Sequence, residues 1–335
     1  MSNRSRLKEF GFEGLKVVER VAEKPSLEKY SPGKEWEKGI FCLRIDADEY
    51  EESSFNCYYP LFEEFKEAMT IFFNAYSFRD AACQVIKCKN LGLDIGSHGY
   101  YHYTYNDYAN NRQNIVKAKD FFLKAGIEPK GFAAPFGKWN MPLSRALEDE
   151  GYGYSSEFAY DYMGFPNYPF FKGRHSRVIQ IPIFPVAPEL FYANSNVNGI
   201  AVKDFYFTAI DELIKCGLPV IIYAHTSLEY KDVPGLLKDI AEYAIVKKNL
   251  KPQNMTNIYE RAKSNSADRS GNSSLIPSDI ILGKDKKVPF FTKFKKFIKN
   301  VLDFERVTPQ DELCCHRFTR ACKILARFLT GVLKR

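Results

Sequence analysis

Residues 39–50 read GIFCLRIDADEY, a short apolar run that ends in acidic residues. Such a run, rich in Ile, Phe and Leu, is typical of a buried strand whose C-terminal end opens into a site. Asp46 and Asp48 stand two positions apart, so on a strand they would project to the same side. One carboxylate could then ligate a metal while the other accepts a proton from the metal's water. A solvated strand end explains this pair equally well when the pair is considered alone.

Helix-like and strand-like segments alternate after this first strand. The helix-like segments are PLFEEFKEAM, RDAACQVIKCKNLG, NRQNIVKAKDFFLKAGI, PLSRALEDEGY, VKDFYFTAIDELIKCG and PGLLKDIAEYAIVKK. Between them lie the strand-like segments TIFFNAY, LDIGSHG, KGFAAPFG, RVIQIPIF and LPVIIYAHTS. This alternation predicts an α/β domain, and repeated units of this kind either close into a barrel or form an open parallel sheet.

Two of the five histidines, His98 and His102, stand close together in IGSHGYYHYTY. A pair at this spacing can converge on one metal ion if the segment is helical, although such pairs are often coincidental. Zincin proteases use the same spacing but need Glu directly after the first His. Gly99 occupies that position here, which excludes the protease interpretation.

Two further elements follow along the chain. The segment GFAAPFGKWN is a Pro/Gly turn after a short apolar strand, and His225 ends the apolar run of VIIYAHTS. A His that closes a buried parallel strand points to the region where α/β domains bind ligands. His225 is therefore a candidate general acid, and a hydrogen-bonded core His is the alternative.

The order of these four elements resembles the polysaccharide deacetylases of carbohydrate esterase family four, the NodB-homology domain. The most specific match is LGLDIGSHGYYH, and AKDFFLKAGIEPKGFAAPFG and EDEGYGYSSE reinforce it. The resemblance covers about residues 38–262. It implies a distorted parallel (β/α) barrel of about seven strands and one divalent metal ion, usually zinc.

The resemblance also implies a role for each matching residue. It makes Asp46 the catalytic base, His225 the acid, and Asp48, His98 and His102 the metal ligands. Pro135, Phe136 and Gly137 form the turn near which the oxyanion and substrate would bind. A metal held by two His and one carboxylate leaves positions open for water. Iron oxygenases use the same ligand set, but the α/β pattern and His225 favour a hydrolase.

The chain departs from the family's pattern at Ala133, where the family usually has an Arg that orients the catalytic Asp. Arg44 is a candidate substitute because it lies two residues before Asp46, on the same strand face and within hydrogen-bonding range. Arg174, in KGRHSRVIQIP, is a second candidate.

Composition divides the chain into four predicted segments: an N-terminal extension (1–37), the catalytic domain (38–262), a Ser/Asn-rich polar linker (263–289) and a basic amphipathic helical tail (290–335). From residue 284 to the end there are 14 Lys and Arg against 5 Asp and Glu, so the formal net charge of +7 belongs to the tail. This distribution argues against a nucleic-acid groove in the catalytic domain.

We expect a cytoplasmic protein, because no signal-peptide pattern or spanning apolar run is present and the eight cysteines lack framework spacing. The tail is predicted to contact the anionic inner face of a membrane peripherally, and packing on the domain or on another subunit is the alternative.

These features predict a metal-dependent hydrolase that removes an N-acyl group, acetyl or formyl, from a carbohydrate substrate. The expected substrate is a nucleotide- or polyprenyl-linked sugar of surface-polysaccharide biosynthesis. One alternative is hydrolysis of a small non-sugar amide, such as an allantoin-like compound, in the same fold. Another is a catalytically inactive sugar-binding or scaffold protein, which the loss of the Arg at Ala133 would favour.

Overall fold

The computed structural model describes residues 39–157, 166, 168–171, 174–184, 186–189, 199–215, 217–226 and 232–264. The predicted N-terminal extension, nearly all of the predicted linker and the predicted amphipathic tail lie outside the described residues.

A parallel sheet forms the centre of the fold. Its strands are β1 (Ile40–Ala47), β2 (Met69–Phe73), β3 (Asp94–Ser97), β4 (Gly131–Ala133), β5 (Tyr154–Ser156), β8 (Ile179–Gln180), β9 (Val220–His225) and β10 (Lys251–Pro252). They lie in the order β10-β1-β2-β3-β4-β5-β8, and β9 also pairs with β1. A separate antiparallel pair joins β6 (Phe170–Phe171) to β7 (Arg174–His175).

The sheet curls so that its last strand approaches β9. The N–H groups of Ile179, Ile181 and Ile183 donate in turn to carbonyls of the β5 segment. The next residue, Phe184, donates to Ile221 O on β9 at 2.8 Å. This bond links the two sides of a seven-stranded curled sheet, β9-β1-β2-β3-β4-β5-β8, and the predicted distorted parallel barrel is confirmed.

Eight α-helices are described around this sheet: α1 (Glu52–Asn56), α2 (Tyr59–Phe65), α3 (Ala82–Asn90), α4 (Tyr108–Lys124), α5 (Met141–Asp149), α6 (Gly199–Lys215), α7 (Val233–Glu242) and α8 (Met255–Ser264). A π-helical turn, Tyr243–Lys247, continues α7. The largest core cluster contains residues of β1, β2 and β9 together with residues of α2, α6 and α7. No helix in the described part of the chain has the length and apolar character needed to cross a bilayer.

Large side chains fill the interior of the barrel beside glycines. A Cβ on Gly96 would lie 2.3 Å from the Phe72 ring, and one on Gly131 would lie 2.0 Å from the Tyr154 ring. Only a residue without a side chain fits at such distances. These glycines therefore let Phe72 and Tyr154 occupy the space between the strands.

The N-terminal end of α8 is tied to the start of β3 through Asp94. The Asp94 carboxylate accepts hydrogen bonds from Thr70 Oγ1 at 2.7 Å, Thr256 Oγ1 at 2.7 Å and Thr256 N–H at 3.1 Å. Negative charge at a helix N-terminus is favourable. Because catalytic-site candidates lie after the C-terminal ends of the strands, Asp94 lies at the opposite end of the barrel from them.

Candidate metal centre

Three predicted metal ligands converge where β1 and β3 end. Asp48 Oδ1 lies 3.1 Å from His98 Nε2, and Asp48 Oδ2 lies 3.4 Å from His102 Nε2. The two Nε2 atoms are 3.0 Å apart. One ligand atom from each residue lies within 4.8 Å of the others, which is the arrangement of a metal-binding group.

The segment that carries the two histidines is a loop, so the pair converges without the helical geometry on which the argument from spacing was conditional. Gly99 has φ +79, and a Cβ there would lie 3.0 Å from both Asn114 Nδ2 and Tyr101 O. Asn114, on α4, accepts from Tyr101 N–H at 2.7 Å and donates to Tyr101 O and Tyr103 O at 3.1 Å. The His pair therefore converges through a glycine turn that a buried Asn holds in shape.

Hydrogen bonding orients His98 for metal binding. Its Nδ1 lies 2.8 Å from Ala133 O at the end of β4. A carbonyl only accepts hydrogen bonds, so Nδ1 carries the proton and Nε2 presents a lone pair to the cluster. Burial, the largest influence, together with the neighbouring histidines lowers the pKa of His102 to about 4, which keeps that ring neutral at pH 7.

These groups fit a divalent cation. Asp48 Oδ1 is buried and accepts no hydrogen bond in the described part of the chain. Burial raises the pKa of Asp48, but the nearby His102 and His98 outweigh this effect and lower the pKa, so the carboxyl stays ionised. Two imidazoles and a carboxylate are ligands that zinc and related ions prefer.

Arg44 and Asp46 form an ion pair inside the barrel beside these ligands. Arg44 Nε donates to Asp46 Oδ1 at 2.8 Å and Nη2 to Asp46 Oδ2 at 2.5 Å. Arg44 Nη1 reaches across to β5, where it donates to Ser156 O and lies 3.3 Å from Ser156 Oγ. The guanidinium also lies over the rings of Phe72 and Tyr223, at 5.3 and 5.8 Å from their centroids.

The opposite charges of Arg44 and Asp46 keep both side chains ionised in this buried position. Burial alone raises the pKa of Asp46, but the charges of Arg44 and His98 and the Arg44 hydrogen bonds outweigh it and leave that pKa below its usual value. Burial lowers the pKa of Arg44, and the charge of Asp46 more than compensates. Asp46 is therefore a carboxylate at neutral pH, able to accept a proton.

His225 lies next to Asp46, because the two residues are register partners on the parallel strands β9 and β1. The backbone N–H of His225 donates to Glu189 Oε1 at 2.7 Å, and the ring atom Nδ1 lies 3.6 Å from Glu189 Oε2. Burial lowers the pKa of His225, but Glu189, Asp48 and Asp46 outweigh burial and raise it to about 10. Sequence reasoning missed Glu189, because no recognisable motif surrounds it in the sequence.

The turn predicted to face the substrate lies beside the ligands. Pro135–Gly137 forms a single 3₁₀ turn after β4, and Phe136 has the left-handed conformation φ 59, ψ 16. Its side chain is 53% exposed, and its ring centroid lies 4.6 Å from that of His102. This turn thus forms part of the rim of the site.

Two other residues complete the comparison with the sequence. Arg174, the second candidate for orienting Asp46, stands on β7, and its side chain lies outside the described part of the structure. Glu157, which sequence reasoning did not single out, is fully buried directly after Ser156. Burial raises the pKa of Glu157 to about 7, against hydrogen bonds and the charge of Arg44.

Comparison with known proteins agrees with this architecture. Residues 38–155 match the family model described as polysaccharide deacetylase. No curated protein matches the chain by sequence. A proposed polysaccharide deacetylase from Mycobacterium smegmatis aligns with a TM-score of 0.57 at 14% identity, over 70% of this chain and 93% of its own. The Puue allantoinase aligns with the same TM-score and coverage at 17% identity.

A family 4 carbohydrate esterase from Streptomyces lividans, solved in complex with acetate, aligns with a TM-score of 0.45 at 17% identity, over 64% of this chain and 91% of its own. Together, the family match and the curled parallel sheet identify a polysaccharide deacetylase domain of the NodB type in this chain. The predicted family is confirmed, and the solved structures, all at low identity, show the fold alone.

Proposed function

We propose that this protein is a metal-dependent hydrolase that removes an N-acyl group from a sugar. The observation that carries the proposal is the convergence of Asp48, His98 and His102 beside the buried Arg44–Asp46 pair. The proposal is supported because amide hydrolysis needs a metal, a proton acceptor and a proton donor close together, and these residues with His225 would supply all three at one end of the barrel.

Asp48, His98 and His102 would hold the ion. A divalent metal bound in that position would lower the pKa of water and polarise the acyl carbonyl. Asp46 would take the proton of the attacking water, since Arg44 holds its carboxylate ionised and fixed in orientation. Arg44 thereby takes the place of the family's Arg, which Ala133 replaces.

Phe136 would contribute the backbone donor for the oxyanion. Pro135 has no N–H, and the N–H of Gly137 already donates to Ala134 O at 2.9 Å within the turn. Of the three turn residues, only Phe136 thus has an N–H to offer developing negative charge. The exposed Phe136 ring would lie against an apolar sugar face.

His225 would protonate the departing amine. Its raised pKa, about 10, keeps it protonated at neutral pH, and its position beside Asp46 puts acid and base on neighbouring strands. When the C–N bond breaks, the imidazolium proton passes to the amine nitrogen and the acyl carbon keeps the oxygen of the water. The products are a free amino sugar and a carboxylic acid.

The proposed substrate is an N-acetyl or N-formyl sugar carried on a nucleotide or a polyprenyl phosphate. The sequence of 290–335 supports this choice, because its basic amphipathic pattern suits attraction to phosphate-bearing carriers at a membrane surface. Small-amide hydrolysis remains the competing activity, since the same catalytic groups would act on any amide that fits.

The test is acyl release by the zinc-loaded full chain. Acetate and formate would be measured from N-acylated nucleotide sugars and polyprenyl-linked sugars, with allantoin as the competing substrate and the Asp46→Asn variant as the inactive control. We expect release from at least one sugar and none in the control. If only allantoin is hydrolysed, small-amide hydrolysis replaces the sugar proposal. If the zinc-loaded protein hydrolyses none of these substrates, the hydrolase function is contradicted.

A further inference from the structure

Residues 74–78 form a turn after β2, in which the N–H of Phe78 donates to Asn74 O at 3.3 Å. β2 pairs with β1 on one side and with β3 on the other. Asp48 directly follows the last paired residue of β1, Asn74 that of β2 and His98 that of β3. The turn therefore begins between the ends of the two strands that lead into the metal ligands, and no proposed step uses it.

One side of this turn is bonded to the backbone of Asp48. Asn74 Oδ1 accepts from the backbone N–H of Ser77 at 3.1 Å, and Ser77 Oγ donates to Asp48 O at 2.7 Å. The backbone N–H of Asn74 donates to Ala47 O at 3.0 Å. Asn74 thus shapes the turn, and Ser77 holds the carbonyl of the first metal ligand.

The other side of the turn is bonded to the loop that carries the two histidines. The backbone N–H of Ala75 donates to Gly99 O at 3.0 Å, and that of Tyr76 donates to Tyr100 O at 2.9 Å. Both acceptors lie between the two histidine ligands in the sequence. A single turn therefore contacts the backbone of both segments that supply the metal ligands.

The hydrogen bond to Ser77 accounts for an amide side chain at position 74. Asn74 is 0% exposed, and its Nδ2 has no hydrogen-bond partner within the part of the chain that the structure describes. A buried donor without a partner costs free energy that an apolar side chain would avoid. The favourable contribution of this side chain therefore comes from Oδ1, which holds Ser77.

We propose that Asn74 and Ser77 are positioning residues that hold Asp48 and the histidine loop in the geometry that binds the metal ion. Ligands that are already in place need no ordering when the ion binds, so the turn raises metal affinity. The inference rests on the proposed function only in taking Asp48, His98 and His102 as metal ligands, and it requires no particular substrate.

The test measures Zn²⁺ affinity by calorimetry, in competition with a chelator, for folded Ser77→Ala, Ser77→Thr and Asn74→Ala proteins. Loss of a partner that orients a metal ligand typically lowers metal affinity about 10- to 100-fold. We expect about a tenfold loss in Ser77→Ala and in Asn74→Ala, because each breaks the connection between the turn and Asp48. Ser77→Thr keeps the hydroxyl and should restore the affinity to within about threefold of wild type.

A double-mutant cycle tests whether the two residues act through one connection. If Asn74 acts through Ser77, the Asn74→Ala/Ser77→Ala protein should lose about tenfold in Zn²⁺ affinity, as each single variant does. Independent contacts would give a loss of about 100-fold, which would overturn the shared role.

Thr208→Val is the matched control, because Thr208 Oγ1 also donates to a backbone carbonyl, that of Asp204 at 2.8 Å within α6. It should leave Zn²⁺ affinity unchanged. A folded Ser77→Ala protein with wild-type affinity would overturn the proposal, and so would a Ser77→Thr protein that loses as much as Ser77→Ala. If Asn74→Ala does not fold, the two Ser77 variants decide by the same criteria.

The same measurements keep this inference separate from the proposed function. A wild-type protein that binds Zn²⁺ but hydrolyses no tested substrate would contradict the proposed function alone, and the Zn²⁺ affinities would still decide the role of the turn. A wild-type protein that binds no Zn²⁺ would overturn both.

Discussion

Arg44 and Asp46, two residues apart on β1, face each other inside the barrel with Nε–Oδ1 and Nη2–Oδ2 distances of 2.8 and 2.5 Å. A planar guanidinium that binds both carboxylate oxygens fixes the carboxylate's rotation as well as its charge. This local pair fixes the carboxylate of Asp46, the proposed base, although the chain has Ala133 where the family usually has an Arg.

Replacement of Arg44 by Met should lower both activity and stability. The buried Asp46 would lose its partner, so we expect the free energy of unfolding to fall by about 3 kcal/mol and kcat by about 100-fold. Denaturant unfolding and steady-state kinetics measure the two effects. Arg112→Met, which breaks an exposed pair with Glu150, should cost less than about 1 kcal/mol and leave kcat unchanged. Equal effects of the two substitutions would contradict the account.

The carboxylates of Asp46, on β1, and of Asp48, just after its end, should respond differently to amide substitution. We expect Asp46→Asn to keep bound metal and to lose about 100- to 10,000-fold in kcat, because only the proton acceptor is removed. Asp48→Asn should lose metal, because an amide oxygen is a weaker ligand than a carboxylate. Elemental analysis beside kinetics separates the two, and loss of metal from Asp46→Asn alone would reverse the assigned roles.

Glu189 should control the pKa of His225. In metal-free protein, NMR titration of the His225 ring should give a pKa of about 10, and Glu189→Gln should move it toward the ordinary value of 6.5. Glu64→Gln, at an exposed pair with Lys238, is the control and should leave the titration unchanged. A wild-type value near 6.5 would show that Glu189 does not stabilise the charged ring.

The interaction of Glu189 with His225 should also make the free energy of unfolding depend on pH. His225 has a folded pKa raised above its unfolded value, so its charge interactions stabilise the fold fully below about pH 6.5. This contribution is lost as the pH rises toward 10. In metal-free protein, the difference in unfolding free energy between wild type and Glu189→Gln should therefore shrink across this interval.

The left-handed conformation of Phe136 should show as strain. At φ 59 a Cβ is unfavourable, so Phe136→Gly should be more stable than Phe136→Ala by about 1 kcal/mol in metal-free protein. At Gln113, an exposed position within α4, the Gly variant should instead be less stable than the Ala variant by about 1 kcal/mol. The same sign at both positions would rule out strain at Phe136.

The strands and the residues at their ends could be predicted from the sequence. Asp46, Asp48, His98 and His225 stand at or just after the C-terminal ends of apolar runs, and parallel strands bring these ends together. The contact of Arg44 with Asp46 follows from the two-residue periodicity of a strand. Local spacing was sufficient for each of these features.

Features that depend on distant chain segments could not be predicted in this way. The loop of His98 and His102 is shaped by Gly99 and by Asn114, which reaches it from α4, so the convergence of the two histidines does not follow from their spacing alone. Glu189 contacts His225, on β9, from a distant position in the sequence. The helix α8 has no long apolar run and is held through Asp94.

The metal content of the purified full chain, measured beside a His98→Ala/His102→Ala variant after reconstitution with Zn²⁺, tests the central claim most directly. The account predicts close to one ion per chain in the wild type and none held by the variant, with both proteins folded. A folded wild-type protein that binds no divalent metal after reconstitution, or a variant that binds it equally well, would contradict the metal centre and the hydrolytic function built on it.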